Sequence, residues 1–256
     1  MVGIYFSGTG NTKFCVNKFL ELYNENNTFE SYSIEDEICV SKIKESKDIL
    51  FAYPIYYSSL PPIVESFIKN NREIFKNKNI FILATMGLFS GDGAGLSARL
   101  FKKYDAKILG GLHIKMPDCI GDVKLLKKSI DENRQIVKDA VTKIDTSVKK
   151  IKSGKKIKNG LTLFNHIAGL FGQRLWFYNK TKKLKNKLII DYDKCISCKM
   201  CMVKCPVNNF IEENGKPKAQ GKCTCCYRCI SNCPKQAITL IGKEIYEQSK
   251  IEKYLG

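Results

Sequence analysis

The chain has 256 residues and carries 43 Lys and Arg against 25 Asp and Glu, a net charge of +18. That length supports two domains with a sizeable core. No apolar run is long enough to span a bilayer, and no basic leader with a cleavage site precedes the first apolar run, so the cytoplasm is the expected compartment. With two histidines, His113 and His166, far apart in sequence, no Ser–His–Asp or Cys–His constellation is available.

In chain order, apolar runs at residues 2–6, 29–34, 49–53, 80–85 and 107–114 predict strands. Amphipathic runs at 12–24, 62–70, 95–104 and 124–152 predict helices. Strands alternating with helices imply a parallel sheet covered on both faces. Five strands suit a doubly wound order whose ligand site lies beyond the carboxyl ends of the strands.

Three strand ends carry ligand-like loops. The first, Ser7-Gly8-Thr9-Gly10-Asn11-Thr12, leaves a strand and opens a helix, so its backbone N–H groups and hydroxyls form an anion cradle. It has neither the Gly-Lys-Ser/Thr of a nucleoside-triphosphate loop nor a third glycine at residue 13, where Lys13 stands. A single terminal phosphate fits; an ordinary strand–helix turn is the alternative. The second loop contains Pro54, Tyr56 and Tyr57, with flat faces for stacking. The third begins Met86-Gly87-Leu88-Phe89 and is glycine-rich. The first loop resembles the FMN phosphate loop of the flavodoxins, and that resemblance implies that the other two flank the isoalloxazine ring. The domain departs from long-chain flavodoxins in lacking their Trp and their strongly acidic surface, which leaves a docking platform as the alternative to FMN binding.

Asp92, Asp118 and Asp122 read as solvated loop acids rather than ring ligands. His113 reads as a packed strand-end residue, and Cys15 and Cys39 as small buried hydrophobes. Cys119 falls in a loop that the resemblance puts near the flavin.

Residues 151–187 carry ten basic side chains and no acidic one. Within them Phe164, Ile167, Ala168, Phe171, Leu175 and Tyr178 make a helical stripe, with Trp176 and Phe177 beside it. Two readings are open: a helix that packs on one domain and spaces it from the next, or a surface helix that meets anionic lipid or an acidic protein. No nucleic-acid recognition motif accompanies the charge.

Eight cysteines then fall in two runs of the form C-x2-C-x2-C-x3-C-P. Cys195, Cys198, Cys201 and Cys205 form one; Cys223, Cys226, Cys229 and Cys233 repeat it 28 residues later. This is an iron–sulfur spacing in which the fourth Cys of each run ligates the other cluster. On that rule Cys195, Cys198, Cys201 and Cys233 hold one cluster, and Cys223, Cys226, Cys229 and Cys205 the other. Two structural zinc sites are the rival reading. Cys225 matches Ser197 in the first run and reads as a non-ligand. Thiolate ligation needs a reducing compartment.

The second segment resembles the bacterial two-cluster [4Fe-4S] ferredoxins, and the whole chain resembles flavodoxin–ferredoxin fusion proteins. The expected architecture is α/β: a flavodoxin-like doubly wound five-stranded parallel sheet over 1–153, a basic amphipathic linker over 154–187, a small α+β two-[4Fe-4S] ferredoxin domain over 188–243 and a tail over 244–256. The resemblance implies an electron carrier with FMN and two [4Fe-4S] clusters that serves a redox partner protein, with an acidic partner or a peripheral contact with anionic membrane through 154–187. A flavin reductase acting on a small substrate at FMN, and a binding module with structural clusters, are the alternatives.

Overall fold

A computed structural model describes residues 1–24, 28–57, 59–89, 91–169, 171 and 180–256. Five parallel strands, β1 (Val2–Tyr5), β2 (Ser31–Ser33), β3 (Asp48–Pro54), β4 (Asn79–Met86) and β5 (Lys107–Lys115), form one sheet in the order β2-β1-β3-β4-β5. The reversal of strand order beside β1 leaves a crevice at the carboxyl ends, where an open α/β sheet takes its ligand.

Strand periodicity splits the core into two halves. Ile49, Phe51 and Tyr53 of β3 and Ile80, Ile82 and Ala84 of β4 face one half. It is filled by side chains of α2 (Cys39–Glu45), α3 (Pro62–Asn70) and α4 (Gly93–Lys102). Leu50, Ala52, Phe81 and Leu83 face the other, under α1 (Asn11–Tyr23) and α5 (Ile130–Lys152). Burial on both faces explains why these strands read as near-continuous apolar runs. Cys15 and Cys39 are fully buried in these halves, as small apolar side chains.

Two expectations are corrected. The helix expected from residue 124 starts at Ile130, because Ser129 and Glu132 form a reciprocal capping box and residues 124–126 make only a short turn. The helix α2 has no counterpart in the expected elements; at seven residues it is too short for a periodic signal.

In the bridge, α6 (Leu163–Gly169) lies against α4. His166 Nδ1 is 2.8 Å from the Asp92 carboxylate, which also accepts from Arg99 Nη2 at 2.7 Å. Ile167 is exposed. Leu175, Trp176, Phe177 and Tyr178 lie outside the described residues, as do the side chains of Phe164 and Ala168. The helix α7 (Lys180–Leu184) follows, and Leu184 is buried against the cysteine-rich segment.

That segment has a near two-fold internal repeat. Each cysteine run ends in a short helix, α8 (Met200–Lys204) or α9 (Arg228–Asn232). Short antiparallel pairs complete it: β6 (Ile189–Ile190) with β9 (Ile238–Thr239), and β7 (Phe210–Glu213) with β8 (Lys216–Ala219). Among the described residues, no helix is long and apolar enough to cross a membrane.

Candidate functional site

The carboxyl ends of the strands open onto a pocket of about 300 Å³. Its walls contain Ser7, Gly8, Thr9, Asn11 and Thr12, then Pro54, Tyr56 and Tyr57, then Met86, Gly87, Leu88 and Phe89. Three loops far apart in sequence thus meet in one place. Gly10 is absent from the wall: its φ of +91° turns the chain into α1, and a Cβ there would run into the Ile251 side chain.

The cradle fits a phosphate. Ser7 Oγ and Asn11 Oδ1 are buried and have no hydrogen-bond partner. Asn11 Nδ2 donates to the Pro117 carbonyl at 2.8 Å, and the Thr12 and Thr85 hydroxyls share a hydrogen bond of 2.8 Å. An orphan hydroxyl and an orphan carbonyl at the start of a thirteen-residue helix suit an anionic ligand that also carries hydroxyls. Tyr56 is buried below this space, and burial holds the Tyr56 and Tyr57 phenols neutral, well above their ordinary range.

Two of the three loop acids are buried, and the third lines the pocket. Asp92 is 0% exposed and Asp122 1% exposed. Asp118 stands in the pocket wall, where it accepts from Ile120 N–H at 2.9 Å and where burial pushes its carboxyl up. A Cβ at Gly87 would meet that carboxylate, so any larger residue there would push Asp118 aside. In the sequence these acids look exposed because what covers two of them comes much later: residues 163–169 cover Asp92, and residues 227–242 cover Asp122. His113, by contrast, is packed as expected. Its Nε2 accepts from Ala94 N–H at 3.2 Å, and burial, with Lys143 nearby, lowers its pKa to about 4.

The remaining wall comes from the cysteine-rich segment: Cys225, Cys226 and Tyr227, with Cys119 and Ile120 beside them. The sequence reading put Cys119 near this pocket by resemblance, but it missed Cys225, Cys226 and Tyr227, because no local signal marks a surface that meets another module. The docking is polar and specific. Tyr227 donates to Asp122 Oδ1 at 2.9 Å, while Asp122 Oδ2 accepts from Leu240, Ile241 and Gly242 N–H at 2.7, 2.7 and 3.1 Å. Arg228 makes a two-pronged bond to Glu35, 2.7 Å on each side, donates to the Ser7 carbonyl at 2.8 Å and lies over the Phe6 ring. Gly8 abuts the Cys226 carbonyl so closely that a Cβ there would clash.

The eight repeat cysteines surround two cavities. One is lined by Cys205, Cys223, Cys226 and Cys229; the other by Cys195, Cys198, Cys201 and Cys233. The fourth cysteine of each run lies beside the first three of the other run. Among the described residues no three His, Cys, Asp or Glu side chains converge closely enough for a single metal ion. Four thiols line each cavity, and the C-x2-C-x2-C-x3-C-P spacing that brings them there is that of an iron–sulfur cluster rather than of paired zinc knuckles. The first cavity is inner, with Cys226 and Cys229 buried; the second is outer, with Cys198 exposed. Cys226 belongs to both the inner cavity and the strand-end pocket.

A flavin-type α/β domain thus shares a wall with a two-cluster iron–sulfur module. Family comparison agrees: residues 3–109 match the flavodoxin domain and residues 187–250 the 4Fe-4S dicluster domain. The chain is similar to an uncharacterised ferredoxin of Methanocaldococcus jannaschii, 31% identical over 72 residues, which are 25% of this chain and 46% of that protein. It is also similar to the PorD subunit of pyruvate synthase from that organism, 34% identical over 77 residues, covering 26% of this chain and 90% of the subunit. A putative iron–sulfur subunit of dimethyl sulfoxide reductase from Halobacterium salinarum is 33% identical over 92 residues, 26% of this chain and 35% of that protein. The chain thus spans less than half of two of these three relatives. The solved flavodoxin of Megasphaera elsdenii superposes with a TM-score of 0.43 at 22% identity, over 58% of this chain and 99% of that one. The chain belongs to the flavodoxin–ferredoxin fusion proteins. Its cofactors are FMN and [4Fe-4S] clusters.

Proposed function

We propose that this chain carries electrons between FMN, an inner cluster, an outer cluster and a redox partner protein, in a fixed spatial order. Cys205, Cys223, Cys226 and Cys229 hold the inner cluster; Cys195, Cys198, Cys201 and Cys233 hold the outer one. Residues 7–12 hold the FMN phosphate, and Pro54, Tyr56, Tyr57 and 86–89 flank the ring. FMN exchanges one or two electrons and each cluster exchanges one, so the fusion can split or pool electrons between partners. The carrying observation is Cys226, a residue that lines both the flavin pocket and the inner cavity. The protein's own part is rigidity: Asp122, Tyr227, Arg228 and Glu35 hold that wall in place.

A flavin reductase would need open space beside Tyr56. There the pocket is walled by Cys225, Cys226 and Tyr227, which favours a carrier. Anaerobic photoreduction of the flavin in the full chain tests the route. Cluster bleaching should follow at a rate independent of protein concentration. A rate that rises with concentration would mean that electrons pass between molecules and would overturn the route.

The partner is an acidic protein in the reducing cytoplasm. Lys182, Lys183, Lys185 and Lys187 are exposed, and Leu184 anchors them to the cluster module. A single-sign run accelerates encounter with an opposite charge more than it tightens the final complex. Reversing Lys182, Lys183 and Lys185 to Glu should slow transfer most at low salt. Flotation with anionic vesicles gives the opposing result: co-flotation that the reversal abolishes would assign the run to a membrane surface instead.

A further inference from the structure

The two cluster cavities are copies of one another at an offset of 28 residues, so their walls can be compared position by position. Two uncharged donors break the symmetry. Thr224 stands in the inner wall where Ile196 stands in the outer, and Asn209 stands where the outer wall has Ala237. The backbone does not break it: Asn209 N–H donates to Cys205 Sγ and Ala237 N–H to Cys233 Sγ, each at 3.3 Å.

Both inner donors are buried and unpaired. Asn209 is 1% and Thr224 4% exposed, and neither Asn209 Nδ2 nor Thr224 Oγ1 has a hydrogen-bond partner. The Asn209 amide orientation is fixed, since its Oδ1 accepts from Lys222 N–H at 2.5 Å. A buried donor without an acceptor is costly, and a site that keeps two of them is built for an acceptor still to come. Cluster sulfurs are such acceptors. The outer wall does contain Lys199 and Lys235, but both are exposed and Lys199 is turned to Glu212 at 2.7 Å, so water screens their charge.

Reducing a cluster adds negative charge. Burial opposes that addition, and donors to the sulfurs favour it. The inner site is the more buried, so on burial alone its cluster would be the harder to reduce. We propose that Thr224 and Asn209 are donors to the inner cluster and raise its potential against that penalty, so that it is no barrier between flavin and outer cluster. This rests on the ligand sets proposed above.

The test is potentiometry of the full chain with both clusters bound, followed by electron paramagnetic resonance, with iron and sulfide counted in each sample. Thr224→Val removes one donor at nearly constant volume, and Asn209→Ala removes the other. Each should lower the inner midpoint and leave the outer one unmoved. The share of electrons on the inner cluster should fall roughly tenfold per donor, or about 59 mV for a one-electron couple. Ile196→Thr adds the missing donor to the outer wall and should raise the outer midpoint. If the inner variants lose iron, Ile196→Thr decides: an outer midpoint that does not rise overturns the proposal. An inner midpoint that ignores both substitutions at full iron content overturns it as well. A wild-type chain unable to bind two clusters would overturn the ligand sets and this proposal together.

Discussion

The α/β domain and the cluster module reach stability by different routes. In the first, Phe51, Tyr53, Phe75 and Phe101 on one side of the sheet and Phe19, Leu20 and Ile144 on the other form two continuous apolar layers. In the second, the buried residues are few, and the ligand candidates Cys201 and Cys229 are among them. The module uses its ligands as core. One domain can fold on hydrophobic burial, whereas the other needs its metal chemistry to complete a compact state.

Cys201→Ser should break the comparison most sharply. It should reduce iron from about eight to about four atoms per chain and open the module to proteolysis, while the α/β domain stays folded. Cys225→Ser should keep all the iron. A full iron count in the Cys201 variant would show that Cys201 is not a ligand. The next largest effect belongs to the joint. Asp122→Ala leaves the Tyr227 hydroxyl and the Leu240, Ile241 and Gly242 N–H groups without their acceptor. The expected cost is on the order of 4 kcal/mol in urea unfolding, and the two halves should then melt separately.

A third measurement isolates the α/β domain. His113 has a folded pKa of about 4 against an ordinary 6.5. It stays neutral when folded but takes a proton when unfolded, so stability should fall as pH drops from about 6.5 and level off near 4. The total loss is about 3 kcal/mol, and His113→Gln should flatten that slope. The smallest expected effect is at the phosphate cradle. Ser7→Ala should weaken FMN about tenfold, near 1.5 kcal/mol, and leave riboflavin affinity unchanged. Equal losses for both ligands would assign Ser7 to fold rather than to phosphate.

The legibility of the chain follows the same division. The strands were readable because full burial writes apolar runs into sequence, and bounds such as residues 62–70 coincide with α3 because Pro62 marks its start. The cysteine sets were readable because ligation fixes spacing. The joint was not. Tyr227 and Arg228 occupy the positions of Lys199 and Met200 in the repeat, and only the three-dimensional arrangement shows that one pair meets Asp122 and Glu35 while the other faces outwards. Asp92 and Asp122 were misread for the same reason: a carboxylate whose cover arrives 70 or more residues later leaves no local trace.

The return of the chain has a consequence for biogenesis. Ile251 and Tyr254 are buried among side chains of α1 and α5, and Ile251 N–H donates to the Thr9 carbonyl at 3.1 Å. These residues leave the ribosome after every ligand cysteine, so the α/β core is closed by a segment that lies beyond the cluster module. Completion of the flavin domain therefore waits until the whole cysteine-rich module has emerged, and the groove between α1 and α5 is the last part of the core to be filled.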